Sequence, residues 1–155
     1  MAKVNKQLEL LLRIESEKEQ QFATELQSAQ SFLQAGQTKL KQVQSYKLEY
    51  LKRMQAMGDQ GVLGGNYQHF QRFIVQLEAG IKKQIEVTET SKQVLQQRKS
   101  VWLEQSKKVK AVQTLIDKKR IQIQMVMDKE EQSISDEFAS QKFIRNKIAA
   151  ANQVS

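Results

Sequence analysis

An apolar residue, replaced once by threonine, recurs at every seventh position through the second half of the sequence. The series is Ile74, Ile81, Thr88, Leu95, Trp102, Val109, Ile116 and Ile123. A seven-residue repeat sustained over this length predicts a helix that supercoils left-handedly around a partner. The companion positions three residues later are mixed, with polar and apolar residues: Leu77, Gln84, Ser91, Arg98, Gln105, Val112, Lys119 and Val126. We therefore expect a coiled coil of moderate stability.

The first half of the sequence carries its own repeat, in alternating steps of four and three residues. From Phe22 the positions are Leu26, Ala29, Leu33, Gly36, Leu40, Val43, Lys47, Tyr50, Met54 and Met57. This spacing is typical of a coiled-coil seam. Followed backwards, the same register meets Glu19 and Glu15 before it reaches Leu12 and Leu8. We expect the stretch around the two glutamates to pair weakly, or with another protein.

Glycine is concentrated between the two repeats. Four of the six glycines lie within residues 58–65, which read GDQGVLGG, and glycine weakens a helix by about 1 kcal/mol relative to alanine. A turn centred here sets seam position against seam position. The facing pairs are Tyr50 with Ile74, Val43 with Ile81, Gly36 with Thr88, Ala29 with Leu95, Phe22 with Trp102, and Leu8 with Ile116. An antiparallel pair is therefore favoured over a parallel dimer of rods.

The predicted fold class is all-α: a long antiparallel two-helix coiled-coil hairpin with a C-terminal helical overhang. One coiled-coil domain covers residues 1–155, with helix 1 at about 3–57, the turn at 58–65 and helix 2 at about 66–128. Residues from about 125 onwards have no intrachain partner in this pairing. The tail, 129–155, is either helical or frayed, and its apolar residues Ile134, Phe138, Ile144 and Ile148 form a candidate docking surface.

Composition limits the class of protein further. Proline and cysteine are absent, so long helices are permitted, and disulfides and thiolate metal sites are excluded. The apolar run Leu10-Leu11-Leu12 is too short for a signal peptide or a membrane span, and we expect a cytoplasmic protein.

The net charge is +8. Basic residues are densest at Lys92, Arg98, Lys99, Lys107, Lys108, Lys110, Lys118, Lys119 and Arg120. This stretch indicates either attraction to acidic partners or a solvated helix face.

The sequence carries no pattern of an enzyme. The glycine segment lacks the GxxxxGK[ST] pattern of a phosphate-binding loop. The single histidine, His69, has no cysteine or organised acidic partner, and we expect it on a helix surface. We predict no cofactor and no metal. The basic stretch contains one aromatic residue, Trp102, which is a predicted seam residue, so no specific nucleic-acid binding is expected.

Four segments in a fixed order carry a resemblance. They are YKLEY at 46–50, NYQHFQRFIVQLEAGI at 66–81, SVWLEQSKKVKAVQTL at 100–115 and DEFA at 136–139. Together they resemble the FliJ family of flagellar type III export proteins over nearly the whole chain. The resemblance implies a non-enzymatic cytoplasmic hairpin, similar in shape to the stalk of rotary ATPases. It would bind the hexameric export ATPase ring and promote its assembly and activity.

The resemblance also implies further partners and a place in the cell. The partners are the cytoplasmic domain of the export gate protein FlhA and the export chaperones. The place is the inner-membrane base of the flagellum, with membrane association through partners only. By motif alignment the gate-contact positions are Lys39, Val43, Tyr46, Tyr50, Phe73, Leu77, Gly80 and Gln84. Val43, Tyr50 and Leu77 are also seam residues and could act through stability alone. Tyr46 and Phe73 lie beside the seam and are the stronger candidates.

The stalk analogy places the end with both termini in the ATPase ring. The candidate ring-contact residues are Leu8, Leu11, Leu12, Arg13, Phe138 and Phe143. The alternative to an export component is a structural coiled coil that associates with itself through its mixed seam. Sedimentation separates the two hypotheses, because the export component is expected to be mainly monomeric and the scaffold to form dimers or larger species.

Overall fold

The chain folds into two helices in a computed structural model that describes residues 5–59 and 65–154. Helix α1 is Lys6–Asp59 and helix α2 is Gly65–Val154. The described residues contain no strand, and the two helices pack against each other, which confirms the predicted all-α class. Asn5 caps α1, because its Oδ1 accepts a hydrogen bond of 2.9 Å from the backbone N–H of Gln7.

Both helices extend into the glycine segment that predicts the turn. Gly58 belongs to α1, and Gly65 is the first residue of α2, one position before the predicted start near Asn66. The rest of the predicted turn, residues 60–64, lies outside the described residues. At the other end, α2 includes residues 129–154 of the predicted tail.

The chain divides into two compact units. The first, called the central unit below, is Glu17–Lys107. The second, called the terminal unit, combines Met1–Ser16 with Lys108–Ser155.

The central unit is an antiparallel pair of helical segments with the predicted seam between them. Every predicted seam position of α1 from Glu19 to Met57 is half-buried. On α2, Ile74 and Thr88 are buried. Two ion pairs cross between the helices: Lys47 Nζ to Glu78 Oε1 at 3.3 Å, and Arg98 Nη1 to Glu25 Oε2 at 3.9 Å. Residues that step backwards on α1 therefore meet residues that step forwards on α2, as the repeats predict.

Small and polar residues make up much of the buried seam. Thr88, Ser91, Gln105 and Ser106 are buried, and the buried apolar side chains of the described residues are Ile74 and Ile116. The predicted meeting of Gly36 with Thr88 is confirmed, since a Cβ atom on Gly36 would lie 3.5 Å from Thr88 Oγ1. That hydroxyl is buried and has no hydrogen-bond partner among the described residues. An unsatisfied buried hydroxyl opposes folding, so this layer brings the helices close at a cost in stability.

The terminal unit contains both the most buried and the most exposed apolar residues of the described chain. Ile116 is 1 % exposed, while every described side chain from residue 124 to residue 153 is exposed. We call residues 124–153 the exposed tail. Its large apolar residues include Ile134, Phe138, Phe143, Ile144 and Ile148. Within the described ranges, neither helix has a stretch long and apolar enough to cross a lipid bilayer.

Candidate partner-binding face

An aromatic cluster lies in the central unit near the end where α1 and α2 are joined. Tyr46 and Tyr50 are four residues apart on α1, which puts them on one side of the helix. On α2, Phe70 and Phe73 are three residues apart and share a side for the same reason. The ring of Tyr50 contacts both phenylalanines, with centroid distances of 4.8 Å to Phe70 and 4.6 Å to Phe73.

Tyr46 forms the outer edge of this cluster. Its ring centroid is 6.1 Å from that of Tyr50 and 6.2 Å from that of Phe73, the latter in an edge-to-face arrangement. Such aromatic pairs contribute about 0.5–1.5 kcal/mol each beyond area burial. Tyr46 nevertheless remains 46 % exposed. The cluster therefore holds the two helices together and also presents an aromatic ring to solvent.

A groove of about 690 Å³ continues from the cluster between the two helices. We call it the Gly80 groove. Six of the eight positions that the resemblance implies line it: Lys39, Val43, Phe73, Leu77, Gly80 and Gln84. The other two, Tyr46 and Tyr50, contact the ring of Phe73. The structure thus brings all eight residues together on one side of the central unit, which we call the eight-residue face.

The sequence spacing explains why these eight residues share a side. On α1 they lie at 39, 43, 46 and 50, and on α2 at 73, 77, 80 and 84. Alternating steps of four and three keep positions on one side of a coiled-coil helix. In the antiparallel register the members are neighbours beside the seam pairs, in four layers: 50 with 73, 46 with 77, 43 with 80, and 39 with 84.

The eight residues differ in how much of each is free to meet a partner. Lys39, Tyr46 and Gly80 are exposed, and the other five are half-buried. Phe73, predicted to lie beside the seam, also packs on Tyr50. Loss of its ring would therefore weaken helix pairing as well as any contact outside the chain. Tyr46 keeps its predicted place beside the seam.

Two glycines in the middle of helices show different packing. At Gly36 a Cβ atom would lie 3.3 Å from Gln84 Nε2 and 3.5 Å from Thr88 Oγ1. Gln84 Nε2 also donates a hydrogen bond of 3.4 Å to the carbonyl oxygen of Gly36. Gly36 thus permits close approach inside the hairpin. At Gly80 a Cβ atom would meet nothing within 4 Å, so packing among the described residues gives no reason for glycine there.

The predicted ring-contact residues all belong to the terminal unit. Leu8 and Leu12 are half-buried, whereas Leu11 and Arg13 are exposed. Phe138 and Phe143 are each 68 % exposed. Residues five apart on an α-helix project to different sides, so the two phenylalanines do not form one patch. Phe138 also lies 22 positions beyond Ile116 along α2, or about 33 Å.

The basic stretch does not form one charged face within the terminal unit. Lys110 and Lys119 are nine positions apart, which places them on opposite sides of a helix with about 3.6 residues per turn. The neighbours Lys118, Lys119 and Arg120 necessarily project in three directions. Of the two interpretations of the stretch, this distribution of basic side chains favours a solvated helix surface over a binding site for an acidic ligand.

Metal chemistry has no support in the described part of the chain. No group of three or more histidine, cysteine, aspartate or glutamate side chains there is arranged to hold a metal ion. His69 is exposed, as the sequence predicts.

Two aromatic residues near the face, Phe70 and Phe32, are neither seam positions nor among the eight positions of the resemblance. Phe70 contacts Tyr50, and its spacing of three from Phe73 is the signal that could identify it. Phe32 is 62 % exposed and lies one position before the seam residue Leu33, where a solvent-facing side chain is ordinarily polar.

Comparison with known proteins identifies the family. No curated protein and no solved structure matches the chain. The family model described as "Flagellar FliJ protein" matches residues 5–147, which include both paired helical segments, the eight-residue face and most of the exposed tail. The chain therefore belongs to the FliJ family and is a component of the flagellar protein export apparatus.

Proposed function

We propose that this protein is a non-enzymatic part of the flagellar type III export apparatus and uses two separate surfaces. The eight-residue face of the central unit binds the cytoplasmic domain of the export gate protein FlhA. Residues of the terminal unit bind the hexameric export ATPase and promote its assembly and activity. Export chaperones are further partners. The protein acts in the cytoplasm at the inner-membrane base of the flagellum, with membrane association through its partners only.

The observation that carries the gate contact is the open space above Gly80. Glycine inside a helix costs about 1 kcal/mol relative to alanine, and Gly36 balances that cost through a close approach within the hairpin. Gly80 has no such neighbour within 4 Å. A partner whose own backbone or side chain fills the space would account for glycine at this position. The surrounding Tyr46, Phe73 and Leu77 supply the aromatic and apolar contacts that dominate binding energies.

The gate contact is tested by Gly80→Gln in a binding measurement with the purified cytoplasmic domain of the gate. Glutamine favours the helix and its Cβ atom meets nothing within 4 Å, so the variant should be about as stable as the natural protein. Because the side chain fills the groove, affinity should fall by about tenfold or more. Val75→Ala, at a position 64 % exposed outside the residues that line the groove, is the control and should bind normally.

Tyr46→Ala and Phe73→Ala extend the test to the aromatic cluster. Both should weaken gate binding, and circular dichroism must show that each variant is folded, because the two rings also contact each other. Folded variants with unchanged affinity would remove the aromatic residues from the proposed contact.

The ring contact is supported by apolar residues of the terminal unit that the chain leaves exposed. Leu11 is 40 % exposed, and Phe138 and Phe143 are more so. Side chains of this size in water favour association with another surface. ATP hydrolysis by the cognate export ATPase should rise when the protein is added in near-equimolar amount. A chain truncated after Asp128 separates the contributions of the tail and of the N-terminal residues to ATPase binding. If binding is unchanged, the tail is not part of the ring contact, and the remaining candidates are Leu8, Leu11, Leu12 and Arg13.

Self-association as a structural coiled coil is the second candidate function. The exposed tail favours it, because apolar side chains without cover can pair with a second copy of the chain. Sedimentation over a range of concentrations distinguishes the two proposals. A monomer throughout supports the export component, and a dimer at low concentration that binds neither the gate nor the ATPase supports the scaffold.

A further inference from the structure

A second groove lies next to the Gly80 groove in the central unit. Its volume is about 390 Å³, and we call it the Val94 groove. Phe32, Lys83 and Val87 line both grooves, so the two adjoin along the helix pair, and we call the two together the channel. The Val94 groove lies beyond the eight positions that define the family's gate contact in this chain.

The spacing that defines the eight-residue face continues without a break into this second groove. Stepping back from Lys39 by three and four residues gives Gly36, Phe32 and Ala29. Stepping forward from Gln84 gives Val87, Ser91 and Val94. Beside the seam pairs, these residues add three layers of neighbours that line the grooves together, namely 36 with 87, 32 with 91, and 29 with 94. Each layer pairs a small residue with a larger one, which leaves space between the helices.

The apolar residues of this extension are partly open to solvent, Phe32 most of all. Phe32 is 62 % exposed, and Val87 and Val94 are each 37 % exposed. An aromatic residue that lies so open at the junction of two grooves contributes little to the fold and is well placed to anchor a partner. Gly36 and Ser91 are small residues, so the surface between these larger side chains is recessed.

The charges along the channel are uneven. Lys39 and Lys83 line the Gly80 groove, and no carboxylate is among the described residues that line it. Neither lysine forms an ion pair within residues 5–59 and 65–154. The Val94 groove contains Glu86 beside Lys83. A partner therefore binds most favourably when it places an acidic side chain above Lys39 and Lys83. It should have no acidic side chain near Glu86, because like charges repel.

The channel also limits the backbone conformation of a partner. The backbone N–H and C=O groups inside α1 and α2 are already paired within each helix. The walls of the channel therefore have no free backbone groups to form hydrogen bonds with an extended peptide. A strand laid here would leave its own backbone unsatisfied over an apolar floor. A helix satisfies its backbone internally, and apolar residues on one of its sides can enter a groove. From Phe73 to Val94 the channel is about 32 Å long, which is about 21 helical residues.

We propose that one amphipathic helical segment of the gate-side partner occupies the whole channel, from the aromatic cluster to Val94. Phe32 is its additional anchor, and an acidic residue of the segment lies above Lys39 and Lys83. This inference rests on the proposed gate contact and extends it by three layers that the family positions do not include.

Phe32→Ala tests the extension with the purified chain and the cytoplasmic domain of the gate. Affinity should fall by about tenfold, as for the loss of an aromatic anchor. The matched control is Leu48→Ala, at a residue of α1 that is 61 % exposed and lies outside both grooves. Neither change should move the thermal unfolding midpoint by more than a few degrees, since both side chains are open to solvent.

Lys83→Glu tests the charge, with Lys82→Glu as a control of identical chemistry at the next residue. Lys82 is exposed and does not line either groove. Lys83→Glu should weaken binding by about tenfold at low salt, with a smaller effect at about 1 M salt, where charges are screened. Equal effects of the two substitutions would overturn the acidic residue proposed above Lys83.

Gly80→Gln separates failure of the extension from failure of the gate contact. If Gly80→Gln weakens binding and Phe32→Ala and Lys83→Glu do not, the gate contact stands and the three added layers are overturned. If the natural chain does not bind the gate domain, both proposals are wrong. Weakening by all three variants with normal binding by Leu48→Ala and Lys82→Glu supports the full-length channel.

Discussion

The central unit and the exposed tail both present apolar side chains to solvent, but only the central unit has packing beneath them. Phe32 and Tyr46 lie above a seam in which Ile74 and Thr88 are buried. In the tail, Phe138 and Ile134 lie on the stretch of α2 from residue 124 to residue 153, in which every described side chain is exposed. A preformed face binds with little ordering cost, whereas a helix without tertiary packing is marginally stable by itself. In the proposed function, the gate contact would therefore be made by a preformed surface, and a ring contact through the tail would order the tail on binding.

The largest predicted effect compares the same substitution in a paired and an unpaired position. Ile116→Ala removes a side chain that is 1 % exposed, and Ile134→Ala removes one that is 69 % exposed. The first should lower the free energy of unfolding by about 2–4 kcal/mol. The second should change it by less than about 0.5 kcal/mol. Urea unfolding followed by far-ultraviolet circular dichroism gives both values.

Equal losses at these two isoleucines would contradict the comparison. They would mean that residues of the tail are packed in solution, either on the chain itself or on a second copy. Sedimentation of the natural chain at the concentration of the unfolding experiment distinguishes those two explanations.

The next prediction concerns the buried polar layer of the central unit. Thr88→Val keeps the shape of the side chain and removes a hydroxyl that has no partner among the described residues. The variant should be more stable by about 1 kcal/mol, because an unsatisfied buried hydroxyl costs free energy on folding. The urea midpoint measures it. A loss of stability would show that the hydroxyl is hydrogen-bonded in solution.

Much of the helix pairing could be predicted from the sequence, and the residues show why. A repeat of seven fixes which side of each helix is buried, and a turn centred on the glycine segment sets the register, so the two together predict the meeting of Gly36 with Thr88. The two grooves could not be predicted in this way, since they depend on side-chain sizes summed across two helices. Spacing shows that Phe32 and Ser91 share a layer, but not that the layer leaves a gap.

The candidate site was predicted in a different way. Its eight positions come from the family resemblance, and the structure adds their common groove and the open space at Gly80. Phe70 and Phe32 were missed because neither is a seam position of the repeats. Neither belongs to the eight gate-contact positions that the motifs supply.

A smaller effect distinguishes the two glycines of the central unit. Gly80→Ala should raise the free energy of unfolding by about 0.5–1 kcal/mol, since alanine favours the helix and its Cβ meets nothing within 4 Å. Gly36→Ala should give a smaller gain, because its Cβ would press on Gln84 at 3.3 Å. Parallel urea titrations compare the two. A larger gain at Gly36 would refute the assignment of the two roles.

The smallest predicted effect is at the ion pair between Lys47 and Glu78. Both side chains are partly exposed, at 28 % and 55 %, so screening by solvent keeps the contribution small. Lys47→Ala should lower the free energy of unfolding by about 0.2–1 kcal/mol at low salt, and by less at about 1 M salt. Unfolding at the two salt concentrations tests it. A loss that does not depend on salt would show that the stem of Lys47, which is a seam position, matters more than its charge.

Photochemical crosslinking tests the central claim, that the side of the central unit above the Gly80 groove binds the export gate. A photoreactive phenylalanine derivative is placed at Gln76, which lines that groove, and in a second variant at Val75, which is exposed but does not. Irradiation with the purified gate domain should join the two proteins from position 76, with little product from position 75. Comparable yields from both positions, or a greater yield from 75, would contradict the account.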